Sequence, residues 1–354
     1  MAEQRTHVYH VGRSGDIPGG MTQVINAYLA WPFPRVDVDV IESRGDPGDH
    51  VAAARGFLRA LRRIRVIARS GERATIVVHL SERGSFLREG WIARYAARLG
   101  LPVVAHLHGS EFAAFERQNP DIVRKVLTAS SRVISLSDET SAICARHVGE
   151  QNVELVPNAI PSGRPREKEK LVVFGGVVSY RKGIDVLQEA WREAEPAEPW
   201  RLVVAGPIRD RHLVDDGLPG AEFVGSLDHS ALMELLDKAE VAVLPSRDEA
   251  MPMFILEAMA RRACVISTAV GGIPAVLSDG CGILVAPASV DDLLVALKRA
   301  MSAEDERRRI ADAGFARFAS RFSATAVYPR VESIWIDAQR GPIPSAALHA
   351  SPVS

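Results

Sequence analysis

Two glutamates lie at the edges of an uncharged stretch in the second half of the chain. Within SRDEAMPMFILEAMARRA (246–263), seven residues without charge separate Glu249 from Glu257. The stretch follows a strand-like run, and we predict a helix from about Phe254 to Arg262, with Glu249 in the preceding loop. Both carboxylates could then accept hydrogen bonds from the hydroxyl groups of a sugar or a ribose. The alternative is that Glu257 only complements the helix dipole and that Glu249 is a surface loop residue.

Lysine and glycine residues stand where strands give way to helices. Lys182-Gly183 follows the run KLVVFGG, and a lysine there can neutralise a diphosphate. Gly19 and Gly20 lie between the first strand and the first helix, where glycine lets backbone N–H groups approach a phosphate. The alternatives are a solvated lysine and an ordinary tight turn. Because the glycines do not form G-x-G-x-x-G, a nicotinamide site is disfavoured.

Histidines and aspartates raise the question of a metal. His79, His106 and His108 fall at or just after strand ends, and we interpret His79 and His106 as hydrogen-bonded core residues. A zinc site on His106-x-His108 would lack a clear third ligand. Asp37 and Asp39 alternate with valines, as the polar face of a strand does. We therefore predict no metal.

The elements that must position these side chains are short strands alternating with helices. Eleven Val- and Ile-rich runs are predicted as strands: 7–12, 36–42, 74–80, 101–109, 132–138, 170–176, 201–207, 221–226, 240–246, 264–272 and 281–287. Amphipathic stretches between them, such as 50–69, 86–99, 182–194, 228–238 and 289–300, are predicted as helices. Most of the runs are apolar on both faces, which is typical of buried parallel strands. The pattern predicts an α/β protein with parallel sheets.

Eleven strands are too many for one ordinary sheet, and the segment 157–170, PNAIPSGRPREKEK, is predicted to be an interdomain linker. We predict a Rossmann-like domain over 1–160 and a second one over 161–322. Ligands of such folds bind at the carboxyl ends of the strands, so we expect a cleft between two facing domains. The tail 341–354 is rich in Pro, Ser and Ala and is predicted to be disordered.

Bulk composition excludes several classes of protein. The 354 residues carry a net charge of −1, which gives no reason to expect nucleic acid as a partner. Three scattered cysteines without a C-x-x-C motif fit a reduced, cytoplasmic chain. No apolar run approaches the roughly 18 residues that a membrane span needs, and no signal peptide is expected at the N-terminus.

One stretch of the sequence is strongly positive. The segment 55–73, RGFLRALRRIRVIARSGER, has seven arginines and a single acid. Phe57, Leu61, Ile64 and Ala68 share one helix face, with Leu58 alongside. We favour a solvated amphipathic helix packed on the first sheet. The alternative is a basic helix on an anionic membrane surface, which would place the protein peripherally on the inner face of the cell membrane.

Together the motifs resemble those of the family-four glycosyltransferases, retaining nucleotide-sugar enzymes of GT-B fold. PSRDEAMPMFILEAMA is similar to their E-x7-E element, and the further matching segments occur in the family's order: GGMTQVI (19–25), AHLHGSEF (105–112), VPNAI (156–160), FGGVVSYRKGIDVL (174–187) and STAVGGIPAVL (267–277). The resemblance covers nearly the whole chain. Each segment alone is weak, but their joint order and spacing are specific.

The resemblance implies transfer of a sugar from a nucleotide-diphosphate sugar, most commonly a UDP-sugar, to a glycan, lipid-linked or small-molecule acceptor, without a metal. It implies that Glu257 holds the ribose, that Glu249 holds the donor sugar, and that a last helix (323–340) returns to the first domain. Residues implied for donor binding are Gly19, Gly20, Arg181, Lys182, Met251, Met253, Phe254 and Glu257, and those implied for catalysis are His108, Glu249 and Lys182.

The chain departs from the family pattern at a few positions. Val177 stands where the family has an arginine five residues before the lysine, and Arg181 is the candidate replacement. Ala159, Ala250 and Arg262 stand at family glycines, and a methyl at position 250 is poorly tolerated if the backbone there needs a positive φ. Val177 and Ala250 keep one alternative open, a non-catalytic partner subunit that binds nucleotide sugar. A second alternative is a sugar-nucleotide epimerase or hydrolase of GT-B fold, which would use the same donor site without an acceptor.

Overall fold

A computed structural model describes residues 5–15, 20–43, 50–81, 84–109, 111–163 and 166–340. The chain forms two compact units. One comprises the chain up to Pro157 together with the residues from Tyr328 onward, and the other comprises Asn158–Val327. Gly19 and the tail 341–354 lie outside the described residues.

The first unit is built on six parallel strands, and the strand order of its sheet is β2-β1-β3-β4-β5-β6. The strands are β1 (Thr6–Gly12), β2 (Val36–Glu42), β3 (Ala74–Leu80), β4 (Val103–Leu107), β5 (Arg132–Ser135) and β6 (Val153–Leu155). The helices are α1 (Gly20–Ala30), α2 (His50–Ser70), α3 (Gly84–Arg98), α4 (Phe112–Gln118), α5 (Pro120–Leu127) and α6 (Asp138–Val148). Every residue of β3 and β4 is buried, which explains why these runs are apolar on both faces.

The second unit has a second sheet of six parallel strands, in the order β12-β11-β10-β7-β8-β9. Its strands are β7 (Glu169–Gly175), β8 (Arg201–Ala205), β9 (Ala221–Gly225), β10 (Ala239–Leu244), β11 (Cys264–Thr268) and β12 (Ile283–Val285). The helices are α7 (Ile184–Ala194), α8 (His229–Lys238), α9 (Met253–Met259), α10 (Ile273–Leu277), α11 (Val290–Ser302) and α12 (Glu304–Arg321). Strand order reverses between β7 and β10, so the carboxyl ends of these two strands mark the expected ligand position.

The last helix, α13 (Ala324–Asp337), belongs from Tyr328 onward to the first unit. Glu332 accepts hydrogen bonds from the backbone N–H and the Nε of Arg35, and Thr75 of β3 donates to the Trp335 carbonyl. The fully buried indole of Trp335 lies 5.0 Å from the ring of His10. The helix therefore covers one face of the first sheet beside β1 and β3.

The predicted α/β architecture with parallel sheets is confirmed, and each of the eleven predicted runs contains a strand. The twelfth strand, β6, escaped prediction because it has three residues, none of them buried. The helix predicted over 254–262 begins at Met253 and ends at Met259. It stops early because Arg262 adopts a left-handed backbone conformation with φ of 54°.

Candidate functional site

The ends of β7 and β10 meet at a turn that only glycine fits. Residues Tyr180–Lys182 form a short 3-10 turn, which is followed by Gly183 with φ of 72°. A Cβ at Gly183 would lie 2.0 Å from the Pro245 carbonyl oxygen at the end of β10. This close approach carries Lys182 to the carboxyl end of the neighbouring strand.

Lys182 and Glu249 form an ion pair at this position. The Nζ of Lys182 donates to Oε1 of Glu249, and the Ser246 hydroxyl donates to the same oxygen at 2.8 Å. The two charged side chains are only 12% and 9% exposed. The sequence assigned Lys182 to a diphosphate and Glu249 to a sugar but predicted no contact between them. It also missed Ser246, whose position three residues before Glu249 was the available signal.

The loop that carries Glu249 is held by the Gly-Gly turn after β11. Gly271 has φ of 53°, and a Cβ on it would lie 1.6 Å from the Glu249 carbonyl oxygen. The Gly272 N–H donates to the Ala250 carbonyl at 2.8 Å. Buried Asn158 donates its amide to the Met251 carbonyl at 3.1 Å. The backbone around the proposed sugar contacts is thus fixed by groups distant in sequence.

The family glycine positions do not behave as the sequence suggested. Among the described residues, the non-glycine positions with positive φ are Glu195, Arg262, Asp279 and Ala288. Ala250 is not one of them, so its backbone does not have the positive φ that would disfavour a methyl group. Arg262, in contrast, does occupy the left-handed region that glycine favours. The positive φ considered for position 250 is found instead at Arg262, after the end of α9.

Glu257 lies in the first turns of α9 and is 4% exposed. Burial raises the pKa of its carboxyl group to about 7, although the guanidinium of Arg261 opposes the rise. His229 Nδ1 lies 3.8 Å from Oε1 of Glu257.

Met253 and Phe254, next to Pro252, are also buried, and the Phe254 ring fills the space where a Cβ on Gly175 would stand. Glu257 thus lies in a helix whose residues are all buried.

Arg181 points along the rim of this site. Its Nη1 donates to the Asp248 carbonyl at 2.9 Å, and the side chain is 45% exposed. The neighbouring Arg247 forms a two-point ion pair with Asp185 and stacks 3.8 Å from the centre of the Tyr180 ring. Arg181 is thus engaged with the loop that carries Glu249.

In the first unit, Gly20 begins α1, and the histidines gather at the ends of β1, β3 and β4. His79 on β3 is the strand-register partner of His106 on β4. His79 Nδ1 lies 2.9 Å from His108 Nε2, and His79 Nε2 lies 2.8 Å from Nδ1 of His10 on β1. Sequence reasoning left His10 out, although three histidines near the ends of neighbouring strands were a readable signal.

The histidine cluster changes two of the expectations. The nitrogens of His79, His106 and His108 lie within 4.8 Å of one another, so the argument that zinc would lack a third ligand is wrong. Parallel pairing places His79 beside His106, which the sequence could not show. His79 is hydrogen-bonded as expected. Within the part of the chain that the structure describes, however, neither ring nitrogen of the buried His106 has a hydrogen-bond partner, so its interpretation as a hydrogen-bonded core residue is also wrong.

Family models match both halves of the chain in sequence order. "Glycosyltransferase Family 4" matches residues 7–164, and "Glycosyl transferases group 1" matches residues 157–317. The chain belongs to glycosyltransferase family 4. Its E-x7-E segment lies inside the second match.

Known proteins resemble this chain over different lengths. A glycogen synthase of Mycobacterium tuberculosis is 26% identical over 68% of the chain and 64% of its own length. A D-inositol 3-phosphate glycosyltransferase of Corynebacterium aurimucosum is 30% identical over 49% of the chain and 45% of its own length. The chain thus matches less than two thirds of each of these relatives.

A structure of Anabaena HepE in complex with UDP and glucose superposes with a TM-score of 0.72 at 15% identity. The match covers 94% of this chain and all of that one. This likeness shows the fold, and it confirms the GT-B architecture expected for a family-four glycosyltransferase.

The aspartates of β2 have structural partners. Asp37 pairs with Arg5 at 3.1 Å and lies 3.7 Å from His7, and Asp39 accepts from the N–H of Val40 at 2.8 Å. Both lie in the strand predicted for them. Their interpretation as the polar face of a strand agrees with these contacts.

The arginine-rich helix α2 buries Ala60, Ile64 and Ile67 in the first core. Leu58, which the sequence placed beside the buried face, is instead 52% exposed. It is exposed because six residues turn an α-helix by about 240° from Leu58 to Ile64. No helix among the described ranges is long and apolar enough to cross a membrane.

The outer side of α2 mixes charge with apolar surface. Its exposed residues include Val51, Arg55, Leu58, Arg59, Arg62, Arg65, Val66 and Arg69. Half-exposed Trp91 of α3 lies beside them, with its ring 5.8 Å from that of Phe57. We call this surface the α2 face.

Proposed function

We propose that the chain is a retaining glycosyltransferase that uses a nucleotide-diphosphate sugar, with UDP-sugars as the first candidates. The observation that carries the proposal is the Lys182–Glu249 ion pair at the point where the second sheet reverses its strand order, with Glu257 eight residues further on. This is where sheets of this topology bind nucleotides. The UDP bound to HepE, a protein of the same fold, supports UDP-sugars as the first donors to test.

Each side chain of the site has a proposed role. Glu257 accepts hydrogen bonds from the ribose hydroxyls, and Glu249 accepts them from the sugar. Lys182 supplies positive charge to the departing diphosphate, so no metal is needed for that purpose. An ammonium already paired with a carboxylate is held in place before the ligand arrives, which lowers the entropy lost on binding.

The family resemblance guides the remaining assignments. Arg181 lies at the phosphate end, the backbone of Met251 and Met253 contacts the sugar, and Phe254 supports Glu257 from the core. In the first unit, His108 is assigned to the reacting sugar and the Gly19-Gly20 turn to phosphate. We assign no covalent nucleophile, and we propose that the departing phosphate oxygen accepts the proton of the acceptor hydroxyl.

The acceptor class is proposed from the relatives and from the α2 face. The relatives include a glycogen synthase and a transferase named for D-inositol 3-phosphate, so a glycan and a small molecule are both candidate acceptors. Arginines interspersed with exposed Val51, Leu58 and Val66 suit the headgroup region of an anionic membrane, which adds a lipid-linked acceptor. We therefore propose a cytoplasmic protein that binds peripherally to the inner face of the membrane.

The test begins with calorimetry on a panel of UDP- and GDP-sugars. Glu257→Ala should weaken binding of the preferred donor by about 1–3 kcal/mol, because charge-assisted hydrogen bonds are lost. Unchanged binding by a folded variant would remove Glu257 from the donor site. Incubation of the donor with and without acceptor glycans then separates transfer from hydrolysis or epimerisation. A chelator should leave the transfer rate unchanged.

A further inference from the structure

A chain of three imidazoles joins the core of the first unit to His108. His10 Nδ1 lies 2.8 Å from His79 Nε2, and His79 Nδ1 lies 2.9 Å from His108 Nε2. His10 and His79 are fully buried. Burial lowers the pKa of His10 and of His108 to about 3 and that of His79 well below its ordinary value, so all three rings are neutral near pH 7.

Neutrality restricts how these two hydrogen bonds can be arranged. A neutral imidazole has one N–H and one lone pair, so His79 donates in one bond and accepts in the other. Both bonds therefore run in the same direction. Either protons point from His10 through His79 to His108, or they all point the opposite way.

The outer nitrogen of His10 decides between the two directions. His10 Nε2 is buried and has no hydrogen-bond partner among the described residues. In the first direction this atom is a bare lone pair, and in the second it is an unpaired N–H. Buried donors without a partner are rarer than under-used acceptors. Trp335, whose ring lies 5.0 Å away, offers a donor-only indole N–H that is also unpaired, which favours a lone pair on His10.

We propose that His10 and His79 are positioning residues that hold His108 in the tautomer with its proton on Nδ1. His108 then acts as a hydrogen-bond donor rather than a base. This last step rests on the proposed function, with a hydroxyl or phosphate oxygen of the nucleotide sugar as the acceptor. The tautomer itself follows from the first unit alone.

A metal on His79, His106 and His108 is the competing use of the cluster. One nitrogen of each ring is close enough, but His79 and His108 are already hydrogen-bonded to each other, with Nδ1 of His79 2.9 Å from Nε2 of His108. The described residues that form the metal-like group are all histidines, so no carboxylate would offset the charge of a buried divalent ion. The hydrogen-bonded chain uses two of these three side chains without that cost.

The test is ¹⁵N NMR of the full chain with labelled histidines, after treatment with a chelator, with the His108 signals assigned from their loss in His108→Gln. We expect the proton of His108 on Nδ1 in the wild-type protein. A proton on Nε2 would overturn the proposal. So would Zn²⁺, added alone, if it shifted the ring signals of His79, His106 and His108 together at micromolar concentration.

Two substitutions of His10 form a matched pair. His10→Asn places an amide N–H near the position of Nδ1 and should keep the His108 proton on Nδ1. His10→Leu removes the donor, and we expect His108 to become a mixture of tautomers. An unchanged tautomer in folded His10→Leu would contradict the proposal. If that variant does not fold, the wild-type spectrum alone decides the direction.

Measurements of nucleotide-sugar binding distinguish a failure of this inference from a failure of the proposed function. His10→Leu should weaken UDP-sugar binding or kcat/KM by about tenfold, the scale of one hydrogen bond, and His10→Asn should restore it. If the wild-type chain binds no nucleotide sugar but His108 carries its proton on Nδ1, the proposed function fails and the tautomer assignment stands. If donor binds and His108 carries its proton on Nε2, the reverse holds.

Discussion

The ammonium group of Lys182 and the carboxylate of Glu249 meet across the ends of β7 and β10, although they stand 67 positions apart in the chain. Both are largely buried, so each charge depends on the other. We expect Lys182→Met or Glu249→Gln alone to lower the free energy of unfolding by about 2–4 kcal/mol, because the remaining partner stays buried and uncompensated.

The double substitution is the control for this prediction. Lys182→Met with Glu249→Gln should be less destabilising than the sum of the single changes by about 1–3 kcal/mol, as measured by urea unfolding. Additive single effects would show that the pair contributes no coupling energy. The double variant should still lose donor binding, since both proposed ligand contacts are gone.

The raised pKa of Glu257 predicts that the free energy of unfolding depends on pH. Its pKa of about 7 in the folded state lies above the ordinary value of 4.5, so the folded state holds the proton more tightly. The protonated Glu257 carboxyl group stabilises the folded state fully below about pH 4.5, and this contribution is lost as the pH rises through 7. Glu257→Gln cannot ionise, so its stability relative to wild type should increase between about pH 5 and pH 8, by up to about 3 kcal/mol. Exposed Glu193→Gln should parallel the wild type throughout, and a flat difference for Glu257→Gln would contradict the prediction.

The positive φ of Arg262 predicts that glycine at this position gives a more stable protein than alanine, the reverse of the usual order within helices. A non-glycine residue in the left-handed region costs about 1–2 kcal/mol, and Arg262 has φ of 54°. Its ion pair with Asp312 and its contact with the Phe315 ring are lost equally in both substitutions. We expect Arg262→Gly to be more stable than Arg262→Ala by about 1 kcal/mol in urea unfolding.

The adjacent Arg261 provides the matched comparison for Arg262. It is not among the positions with positive φ, so Arg261→Ala should be more stable than Arg261→Gly, in the usual order. The same order at both positions would mean that the left-handed conformation at Arg262 does not influence stability.

The α2 face predicts salt-sensitive binding to vesicles. The chain should co-sediment with liposomes that contain anionic lipid at low ionic strength, and added salt should release it because exposed charges are screened. Arg62→Gln with Arg65→Gln should weaken the binding by about 30-fold, because each of the two arginines near the surface contributes about 1 kcal/mol. Arg308→Gln with Arg309→Gln, which removes the same charge from exposed positions of α12, should leave it unchanged. Absence of co-sedimentation at low salt would remove the membrane proposal.

Much of the fold could be predicted because its signals are local. Eleven Val- and Ile-rich runs gave eleven strands, since a buried parallel strand must be apolar on both faces. The segment around Glu249 and Glu257 was placed correctly between a strand and a helix, because loop and helix start lie within a few residues of each other. The left-handed conformation at Arg262 is also a local feature, but it was not predicted. Glycine is the residue that usually signals such a helix end, and an arginine stands at this position.

By itself, then, the sequence determined the elements, their alternation and the positions of the candidate residues along them. The tertiary structure decided which of these residues meet. The pairing of Lys182 with Glu249, the packing of Gly271 against the Glu249 carbonyl, and the hydrogen bond between His10 and His79 all join groups on different strands or loops. Such contacts depend on strand order and register, which follow from how whole elements pack and are not recorded in the spacing of residues along the chain.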